Sequence, residues 1–445
     1  MQISVVGLGR LGAPLAAVFA SKGFRVIGTD LNREYIDAIN NGTAPVDEPR
    51  LQELIGASRA SLSATLDAPG AVAATDVTFI IVPTPSDASG RFSNAAVLQA
   101  LESIGAGIRR KQTYHLVVIT STVMPGSTGG EIRSALEHHA ERKVGRMLGL
   151  CYNPEFIALG SVVSDMLRPD LLLIGESDTT AGDILERLYD VTCENRPAVQ
   201  RMNFVNAELT KLAINTFVTT KISYANMLAD ICERLVGADV DVVTRAVGSD
   251  SRIGARYMKG AIGYGGPCFP RDNVALSALA RSLGAQAQLA ETTDAINRVQ
   301  IERVLSAVEN HFPGSGAIGI LGLSYKPETA VITESQAVFL LERLLERGRH
   351  VVAYDPKALP DVQRALRRTF DASPSAEACV RAASLLVIMT PWAEFRDLDE
   401  DAFVRPGKRL TVIDCWRILP SAISRVADVV YPGQGAPDGA TTVAL

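Results

Sequence analysis

The sequence predicts an α/β protein in which two doubly wound parallel sheets are joined by a central helical region with one long helix. Apolar strand-like runs alternate with helical runs over residues 3–152, and the same alternation returns after residue 317. Between these parts, residues 207–236 contain no glycine or proline. Alternating strands and helices are typical of parallel sheets, which bind ligands at the carboxyl ends of their strands.

The first strand and helix carry the glycine spacing of a dinucleotide-binding turn. A β-like run at 3–6 leads into Gly7, and helical residues 13–21 follow the last glycine of the motif. The first glycine permits a tight turn, the second lets the backbone approach a pyrophosphate, and the third allows close packing of helix on strand. The phosphates are expected at the helix N-terminus, which favours anions. The motif residues expected to contact the cofactor are Gly7, Gly9, Arg10, Leu11 and Gly12.

The second predicted strand ends in an acid. Residues 24–29 are predicted to form the second strand, and Asp30 follows them, 18 residues after Gly12. A carboxylate there accepts hydrogen bonds from the ribose hydroxyls and repels a 2′-phosphate, so NAD is favoured over NADP. The order of strand, helix, strand and acid makes this motif much more specific than a bare glycine triplet.

Composition argues against several other classes of protein. The net charge is -5 and long basic runs are absent, which disfavours a nucleic-acid partner. The six cysteines are scattered without a C-x-x-C pair, so we expect neither a metal site nor a disulfide framework. No signal-like start or membrane-length apolar run is visible. We therefore expect a cytoplasmic protein without a membrane partner.

The last part of the chain repeats the theme of the first. Residues 317–323 resemble the opening strand and turn, and the strand at 350–354 ends in Asp355, as the earlier one ends in Asp30. This second Rossmann-like unit lacks the full glycine triplet, so its ligand is not expected to be a dinucleotide bound in the same way. The predicted domains are 1–203 for NAD, 204–300 for the central helices and 301–445 for the second Rossmann-like unit.

The long helix predicted at 207–236 has apolar residues around much of its circumference. Such a helix is expected to be buried. A spine that joins two domains and packs against a second subunit would bury it, which predicts a homodimer or higher homo-oligomer. Lys211 and Asn215 are four residues apart and share one face. The alternative for Lys211 is an ordinary solvated lysine.

A glycine- and proline-rich loop at 263–272 presents Cys268. Glycines let backbone approach a ligand closely, and prolines stiffen the loop. A thiol in this setting is a candidate covalent nucleophile. The alternative is a buried structural cysteine. The dinucleotide motif favours the nucleophile, because it indicates an enzyme in whose reaction a thiol could take part.

With these residues assembled, the chain resembles the UDP-glucose/GDP-mannose dehydrogenase family over nearly its whole length. The motifs that carry the resemblance, besides the glycine motif and the cysteine loop, are Val82–Pro85, Ser121–Val123, Asn153–Phe156, Glu208–Lys211 with Asn215, and Gly322–Lys326. The resemblance implies a four-electron oxidation of a sugar primary alcohol to a carboxylate, with two NAD molecules reduced. UDP-glucose is the leading substrate, and GDP-mannose or a UDP-N-acetylhexosamine is the alternative.

The resemblance also implies catalytic roles. Cys268 would form a thiohemiacetal and then a thioester, and Lys211 would lower the pKa of its thiol. Lys211 and Asn215 would stabilise the oxyanion. Asp272 would hold a water or accept a proton, although a plain helix cap is an alternative. Glu155 and Thr122 would position and activate the hydrolytic water.

Ligand contacts carry over in the same way. Thr84, Pro85 and Thr122 would contact NAD. Arg252 would reach the sugar-nucleotide site of a neighbouring subunit. The full set expected to bind the nucleotide-sugar is Glu155, Phe156, Lys211, Asn215, Arg252, Lys259, Tyr264, Gly265, Tyr325, Lys326 and Arg417.

Two departures from the family pattern suggest a divergent subgroup. Leu159 stands where many members have an acid, and residues 329–335 lack the usual acidic pair and arginine, with Thr333 among the replacements. Two rivals of other classes also stay open. A two-electron β-hydroxyacid dehydrogenase would not need the cysteine, and an NAD-sensing scaffold would use it as a redox switch.

Overall fold

Eight short strands of the first 213 residues form one sheet. The computed structural model describes residues 1–312 and 314–436, and the chain forms two compact units that divide between Ala213 and Ile214. Strands β1 to β8 are Gln2–Val6, Arg25–Thr29, Leu62–Thr65, Val77–Ile80, His115–Ile119, Leu148–Tyr152, Leu171–Glu176 and Ala198–Met202. Helices α1 to α8 are Gly12–Ser21, Arg33–Asn41, Leu51–Ala57, Ala68–Ala73, Ala95–Arg109, Arg133–Ala140, Val162–Leu167 and Thr179–Thr192. A π-helical turn, Thr128–Ile132, precedes α6.

The strand order of this sheet is β3-β2-β1-β4-β5-β6-β7-β8. The first six strands have the order of a doubly wound dinucleotide-binding sheet, in which the switch point lies between β1 and β4. The sheet is parallel, as predicted, except at one pair: β6 and β7 are antiparallel, and β7 lies beyond the strands predicted from the sequence. Residues 153–170, which connect these two strands, contain one six-residue helix, α7.

The central strands are buried on both faces because alternate side chains enter two separate cores. Leu116 and Val118 of β5 join a cluster formed with α1 and α8, whereas Val117 and Ile119 join a cluster formed with α5 and α6. All five residues of this strand are buried. A period of two with both faces covered is the pattern of buried parallel strands. The continuous apolar runs of the sequence follow from it.

The second unit holds the remaining helices and a six-stranded sheet. Helix α9, Phe204–Glu233, begins in the first unit and continues into the second. Helices α10 to α15 are Val240–Ser249, Phe269–Ser282, Gln288–His311, Gln336–Glu346, Leu359–Ala365 and Ala376–Ala382. Strands β9 to β14 are Ala317–Leu321, Val351–Tyr354, Asp371–Ala372, Ala383–Ile388, Leu410–Asp414 and Ala427–Val430. Short 3₁₀ turns follow at Ala393–Asp397, Glu400–Ala402 and Ser421–Arg425.

The second sheet has the order β11-β10-β9-β12-β13-β14 and is parallel throughout. Counted from its own first strand, this is the order of the first six strands of the other unit. The predicted fold class, two Rossmann-like sheets with helices between them in sequence, is therefore confirmed. The predicted domain limits at 203/204 and 300/301 stay predictions.

Helix α9 differs from the expectation in its ends and in its buried face. It begins and ends three residues earlier than predicted. Its end is earlier because residues 234–236 form turns and Gly237 lies beyond them. Within the single chain several of its apolar residues are not buried, and the expectation that a second subunit completes their burial stays a prediction. Its buried face is rich in polar residues, whereas Leu209, Phe217, Tyr224, Met227 and Ile231 are exposed. The buried polar residues are Glu208, Lys211, Asn215, Thr216, Thr219, Ser223 and Asn226.

Across the described ranges 1–312 and 314–436, no helix is both long and apolar enough to cross a membrane. In that same part of the chain, no group of three or more histidine, cysteine, aspartate or glutamate side chains is arranged to hold a metal ion.

Candidate active site

The carboxyl edge of the first sheet begins with the glycine turn after β1. Gly7 has a positive φ of 96°, and a Cβ there would overlap the carbonyl oxygen of Ile81. A Cβ on Gly12 would overlap the carbonyl oxygen of Gly7. At Gly9, by contrast, an added Cβ would meet no atom within 4 Å. Gly7 and Gly12 are therefore required by the protein itself, whereas the open space at Gly9 is what close approach of a pyrophosphate needs.

The start of α1 fits an anion. Among the described residues no side chain caps its N-terminus, as is also true of α3, α5, α6 and α7, whereas side chains cap α2, α4 and α8. Backbone N–H groups of a first turn and the helix dipole favour a phosphate there. Beside it, Asp30 accepts from the Leu8 N–H at 2.6 Å and the Asn32 N–H at 2.8 Å, and stays partly exposed. These residues fit a dinucleotide with an unphosphorylated ribose.

The second and third glycines of the motif, Gly9 and Gly12, give opposite predictions for alanine. Gly9→Ala should leave the free energy of unfolding within about 0.5 kcal/mol of wild type, because its Cβ enters open space. It should weaken NAD binding at least about tenfold, because that space is the expected pyrophosphate position. Gly12→Ala should cost about 3 kcal/mol of stability, because backbone cannot move aside as a side chain can. Denaturant unfolding and calorimetric titration with NAD check both. Normal NAD affinity in Gly9→Ala would contradict the assignment.

Loops after β4 and β5 continue this edge. Thr84 is buried and donates to the Thr122 carbonyl at 2.7 Å, and Ser121 bonds both the N–H and the carbonyl of Val82. Thr122 is partly buried, and Pro85 is exposed. The strand order places these loops next to the glycine turn, since β4 pairs with β1 and β5 pairs with β4. The predicted cofactor residues thus lie along one edge of one sheet.

Glu155 and Phe156 follow β6 on the same edge, and Lys211 meets them there. The Lys211 ammonium donates to the Glu155 carbonyl at 2.7 Å and lies 4.5 Å from the centre of the Phe156 ring. Lys211 is only 7% exposed, so the alternative of a solvated surface lysine is wrong. Burial raises the pKa of the Glu155 carboxyl to about 7, and the positive charge of Lys211 opposes this shift. A carboxyl with such a pKa is suited to proton transfer near neutral pH.

Glu208 is a residue of this edge whose role sequence reasoning missed. It is fully buried and accepts from the N–H groups of Gly126 at 2.6 Å and Thr128 at 2.7 Å. Through these bonds it holds the loop that follows Thr122. Because Glu208 and Lys211 are one helical turn apart, the start of α9 fixes the loops after both β5 and β6. The sequence feature that could have indicated this role is an acid three residues before Lys211, on the same face of the predicted helix.

In the second unit, Cys268 lies at the N-terminus of α11. It is exposed, whereas Cys193 is partly buried and the other four cysteines are buried. The alternative of a buried structural cysteine is therefore wrong. The Cys268 carbonyl accepts from the Asp272 N–H at 2.9 Å, and the Asp272 carboxylate accepts from Asn215 Nδ2 at 2.6 Å. Asn215 thus ties α9 to the helical turn that presents the thiol.

The glycines before Cys268 let its loop pack closely on the segment after β9. A Cβ on Gly266 would come within 2.6 Å of the Tyr325 ring, and one on Gly265 would overlap the Glu334 carbonyl. Gly266 also donates its N–H to the Thr333 carbonyl at 2.9 Å. The structure therefore brings Tyr325 against the thiol loop. Tyr264, also predicted at the site, is buried in the same loop.

The second sheet repeats the turn and the acid of the first but uses the acid differently. Gly322 has a positive φ of 87°, and Asp355 directly follows β10 as Asp30 directly follows β2. Asp355 is 3% exposed and accepts from Leu323 N–H, Ser324 N–H and Trp392 Nε1 on one oxygen. It is committed to holding the loop that carries Tyr325 and Lys326. This supports the prediction that no second dinucleotide binds here in the same manner.

The three other predicted substrate residues are engaged with acids or backbone in the second unit. Arg417 pairs with both oxygens of Asp239, at 2.8 and 2.9 Å. Lys259 donates to the Trp416 carbonyl at 3.1 Å. Arg252 has a side chain 86% exposed and pairs with Asp250. Lys259 and Arg417 therefore lie near each other, whereas Arg252 extends into solvent.

A sheet of this order with this glycine turn and strand-end acid defines a Rossmann-type dinucleotide-binding protein. Three models of one family match the chain in order: the NAD binding domain over residues 1–192, the central domain over 205–299 and the UDP binding domain over 319–421 of the UDP-glucose/GDP-mannose dehydrogenase family.

Similar proteins agree with this match. UDP-glucose 6-dehydrogenase AglM of Haloferax volcanii is 36% identical over 423 residues, which cover 94% of this chain and 97% of that protein. The solved structure of a UDP-glucose dehydrogenase from Pyrobaculum islandicum is 33% identical, covers 98% of both chains and gives a TM-score of 0.88. GDP-mannose 6-dehydrogenase of Pseudomonas syringae is 33% identical over 80% of this chain and 81% of that protein.

The chain therefore belongs to the UDP-glucose/GDP-mannose dehydrogenase family of NAD-dependent nucleotide-sugar 6-dehydrogenases. NAD is its cofactor. The resemblance inferred from the motifs is confirmed.

Proposed function

We propose that the protein oxidises UDP-glucose to UDP-glucuronate through covalent intermediates on Cys268. Among the similar proteins given above, AglM and the Pyrobaculum islandicum enzyme are named UDP-glucose dehydrogenases, and they cover nearly the whole chain. The observation that carries the covalent mechanism is the position of Cys268, an exposed thiol at the N-terminus of a 14-residue helix. A helix N-terminus favours the thiolate, which is the nucleophilic form.

The sulfur makes a second oxidation of the sugar possible. NAD, held at the glycine turn, would supply the acceptor for the hydride that leaves the carbon that is oxidised. An aldehyde carbon does not readily lose hydride until a nucleophile has added to it. The Cys268 thiolate forms a bond to that carbon, and the carbonyl oxygen takes up a proton, which gives a thiohemiacetal. Its oxidation leaves a thioester on Cys268, and water then releases the carboxylate and the thiol.

Buried polar groups are proposed to stabilise the negative charge and to transfer the protons in these steps. Lys211 and Asn215, on one face of α9, would supply donors to the oxygen that becomes negative. Asp272, which accepts from Asn215 at 2.6 Å, would orient that amide and hold a water or a proton. Glu155, with Thr122 on the neighbouring loop, would take a proton from the water that attacks the thioester.

The raised pKa of Glu155 gives a pH dependence with a definite sign. Below about pH 7 the Glu155 carboxyl is protonated and cannot accept a proton, whereas above it the carboxylate is available. Carboxylate formation should therefore rise about tenfold between pH 6 and pH 8. Glu155→Gln should be slow and should lose this acid limb. The matched control is Glu194→Gln, because the hydrogen bond from Lys22 lowers the pKa of Glu194. An unchanged acid limb in Glu155→Gln would exclude Glu155 as the base.

A second copy of the chain is the proposed partner of the outer face of α9. The exposed apolar side chains on this face, led by Phe217 at 63% exposure, form a stripe that water solvates poorly. Burying it against a second copy would leave the polar inner face of the helix in place. Arg252 would then reach the sugar-nucleotide site of the other subunit, as its exposed side chain permits.

A screen of purified sugar nucleotides tests the substrate proposal. UDP-glucose, GDP-mannose, UDP-N-acetylglucosamine and UDP-N-acetylmannosamine are each incubated with the protein and NAD, and NADH is measured per sugar consumed. We expect the highest kcat/KM and two NADH per sugar with UDP-glucose. A higher kcat/KM with GDP-mannose would favour that alternative, which the Pseudomonas syringae relative supports. No NADH with any of them would refute the proposal.

A further inference from the structure

The backbone of the segment before Cys268 is hydrogen-bonded by side-chain amides, whereas the backbone of a strand is hydrogen-bonded by its neighbouring strands. Residues 261–264 are buried and belong to no strand. Asn226 of α9 accepts from the Ala261 N–H at 3.0 Å and donates to the Ile262 carbonyl at 2.9 Å. Asn297 of α12 accepts from the Tyr264 N–H at 2.7 Å and donates to the Tyr264 carbonyl at 3.0 Å. These amides satisfy backbone groups that burial would otherwise leave unpaired.

Tyr264 links Asn297 to the helix that presents the thiol. Its ring packs edge-on against Phe269, with ring centroids 6.2 Å apart, and its hydroxyl accepts from Asn273 Nδ2 at 3.2 Å. Phe269 and Asn273 both lie at the start of α11, directly after Cys268. A displacement of Tyr264 therefore displaces the end of the helix that carries the sulfur.

Asn297 is buried and closely packed against the loop that it holds. Asn297 is 5% exposed and Tyr264 is 6% exposed, so neither of their hydrogen-bonding groups has ready access to water. A Cβ on Gly263 would come within 2.6 Å of Asn297 Oδ1, so the glycine is what lets the amide reach the loop. Loss of the amide would leave the buried Tyr264 N–H unpaired and its carbonyl with only a long bond of 3.5 Å from Gln336 Nε2, and the loop would have to move to satisfy them.

We propose that Asn297 is a positioning residue for the second oxidation, because it holds the thiol loop ready to capture the aldehyde. This inference rests on the covalent mechanism proposed above. Capture forms the bond between sulfur and the carbonyl carbon, while the carbonyl electron pair moves to oxygen and is protonated, so carbon is neither oxidised nor reduced. Capture competes with departure of the aldehyde, and a sulfur misplaced by about 1 Å captures less of it. The first oxidation does not use the sulfur and is spared.

The test compares Asn297→Ala and the milder Asn297→Ser with wild type. NADH per sugar consumed is measured, and free aldehyde is trapped with a hydrazine reagent. We expect the released aldehyde to increase about tenfold or more and NADH per sugar to fall from two toward one. The rate of the first oxidation should stay within about threefold of wild type. The serine variant keeps a polar group, so it should show a smaller change in the same direction. If the alanine variant does not fold, the serine variant still tests the inference.

Asn40 offers a matched control. It makes the same two bonds to one residue, accepting from the Ala64 N–H at 2.8 Å and donating to its carbonyl at 2.9 Å, in the first unit. Asn40→Ala should release no additional aldehyde. Asn297 variants that lose rate but keep two NADH per sugar and release no more aldehyde than Asn40→Ala would overturn the inference. If wild type itself does not yield two NADH, the proposed function fails instead, so the two failures are distinguishable.

Discussion

Replacing Cys268 with serine is expected to stop the reaction at the aldehyde. A serine hydroxyl stays protonated near neutral pH, whereas a thiol at a helix N-terminus readily supplies the anion that attacks. The second oxidation should slow about a thousandfold or more, because no comparable nucleophile adds to the aldehyde. NADH per sugar should fall from two to one, and the trapped product should be the aldehyde. Stopped-flow absorbance of NADH, together with mass spectrometry of the trapped sugar, measures both quantities.

Cys193→Ser is the control for this experiment. Burial raises the pKa of the Cys193 thiol to about 11, so it is protonated at neutral pH and should be unreactive. This variant should keep two NADH per sugar. If Cys268→Ser also keeps two NADH per sugar, the covalent mechanism is wrong. A protein that then makes only one NADH from a hydroxyacid would match the two-electron rival.

Replacing Lys211 with methionine is expected to lower kcat about a hundredfold to a thousandfold. Methionine keeps much of the side-chain length, so packing against Phe156 is retained while the charge and the bond to the Glu155 carbonyl are lost. The charge matters because Lys211 is buried, and a buried donor stabilises a developing oxyanion more than one in water does. Turnover at saturating UDP-glucose and NAD measures the effect.

The same variant should also move the pH profile. Because the positive charge of Lys211 opposes the rise in the pKa of Glu155, its removal should raise that pKa further. The acid limb should therefore shift to higher pH. Lys22→Met is the control, since Lys22 pairs with Glu194 at 3.1 Å and the charge of an exposed pair contributes little. A kcat in Lys211→Met within about twofold of the control would exclude the proposed role.

Local sequence patterns predicted much of the fold. Continuous apolar runs such as residues 115–119 predicted buried strands, because side chains of alternating orientation must be apolar when both faces of a sheet are covered. The glycine spacing and Asp30 predicted NAD, because the chemistry of that turn depends on residues adjacent in sequence. The antiparallel pair β6 and β7 was missed, since strand direction depends on how the chain returns and not on the composition of either strand.

Site residues could be predicted only where the residue type and its neighbours in sequence indicate one function. Cys268 stood out because a thiol in a loop rich in glycine and proline, in a chain with a dinucleotide motif, is a candidate nucleophile. Glu208 and Asn297 did not, since buried acids and amides acquire their roles from backbone that lies far away in sequence, at Gly126 in one case and Tyr264 in the other. The proposed catalytic and substrate roles of the predicted residues stay predictions until the variants above are measured.

By itself the sequence determined the fold class, the family and the dinucleotide turn, because each depends on short-range spacing. Only the tertiary structure decided how similar residues differ in use. Asp30 and Asp355 look alike in sequence, yet Asp30 stays partly exposed beside the glycine turn while Asp355 is buried and held by Trp392. Helix α9 likewise has apolar residues around much of its circumference, but the face that it buries within the chain is rich in polar residues. The physical reason is that burial and hydrogen-bond partners are set by residues that folding brings together from distant parts of the chain.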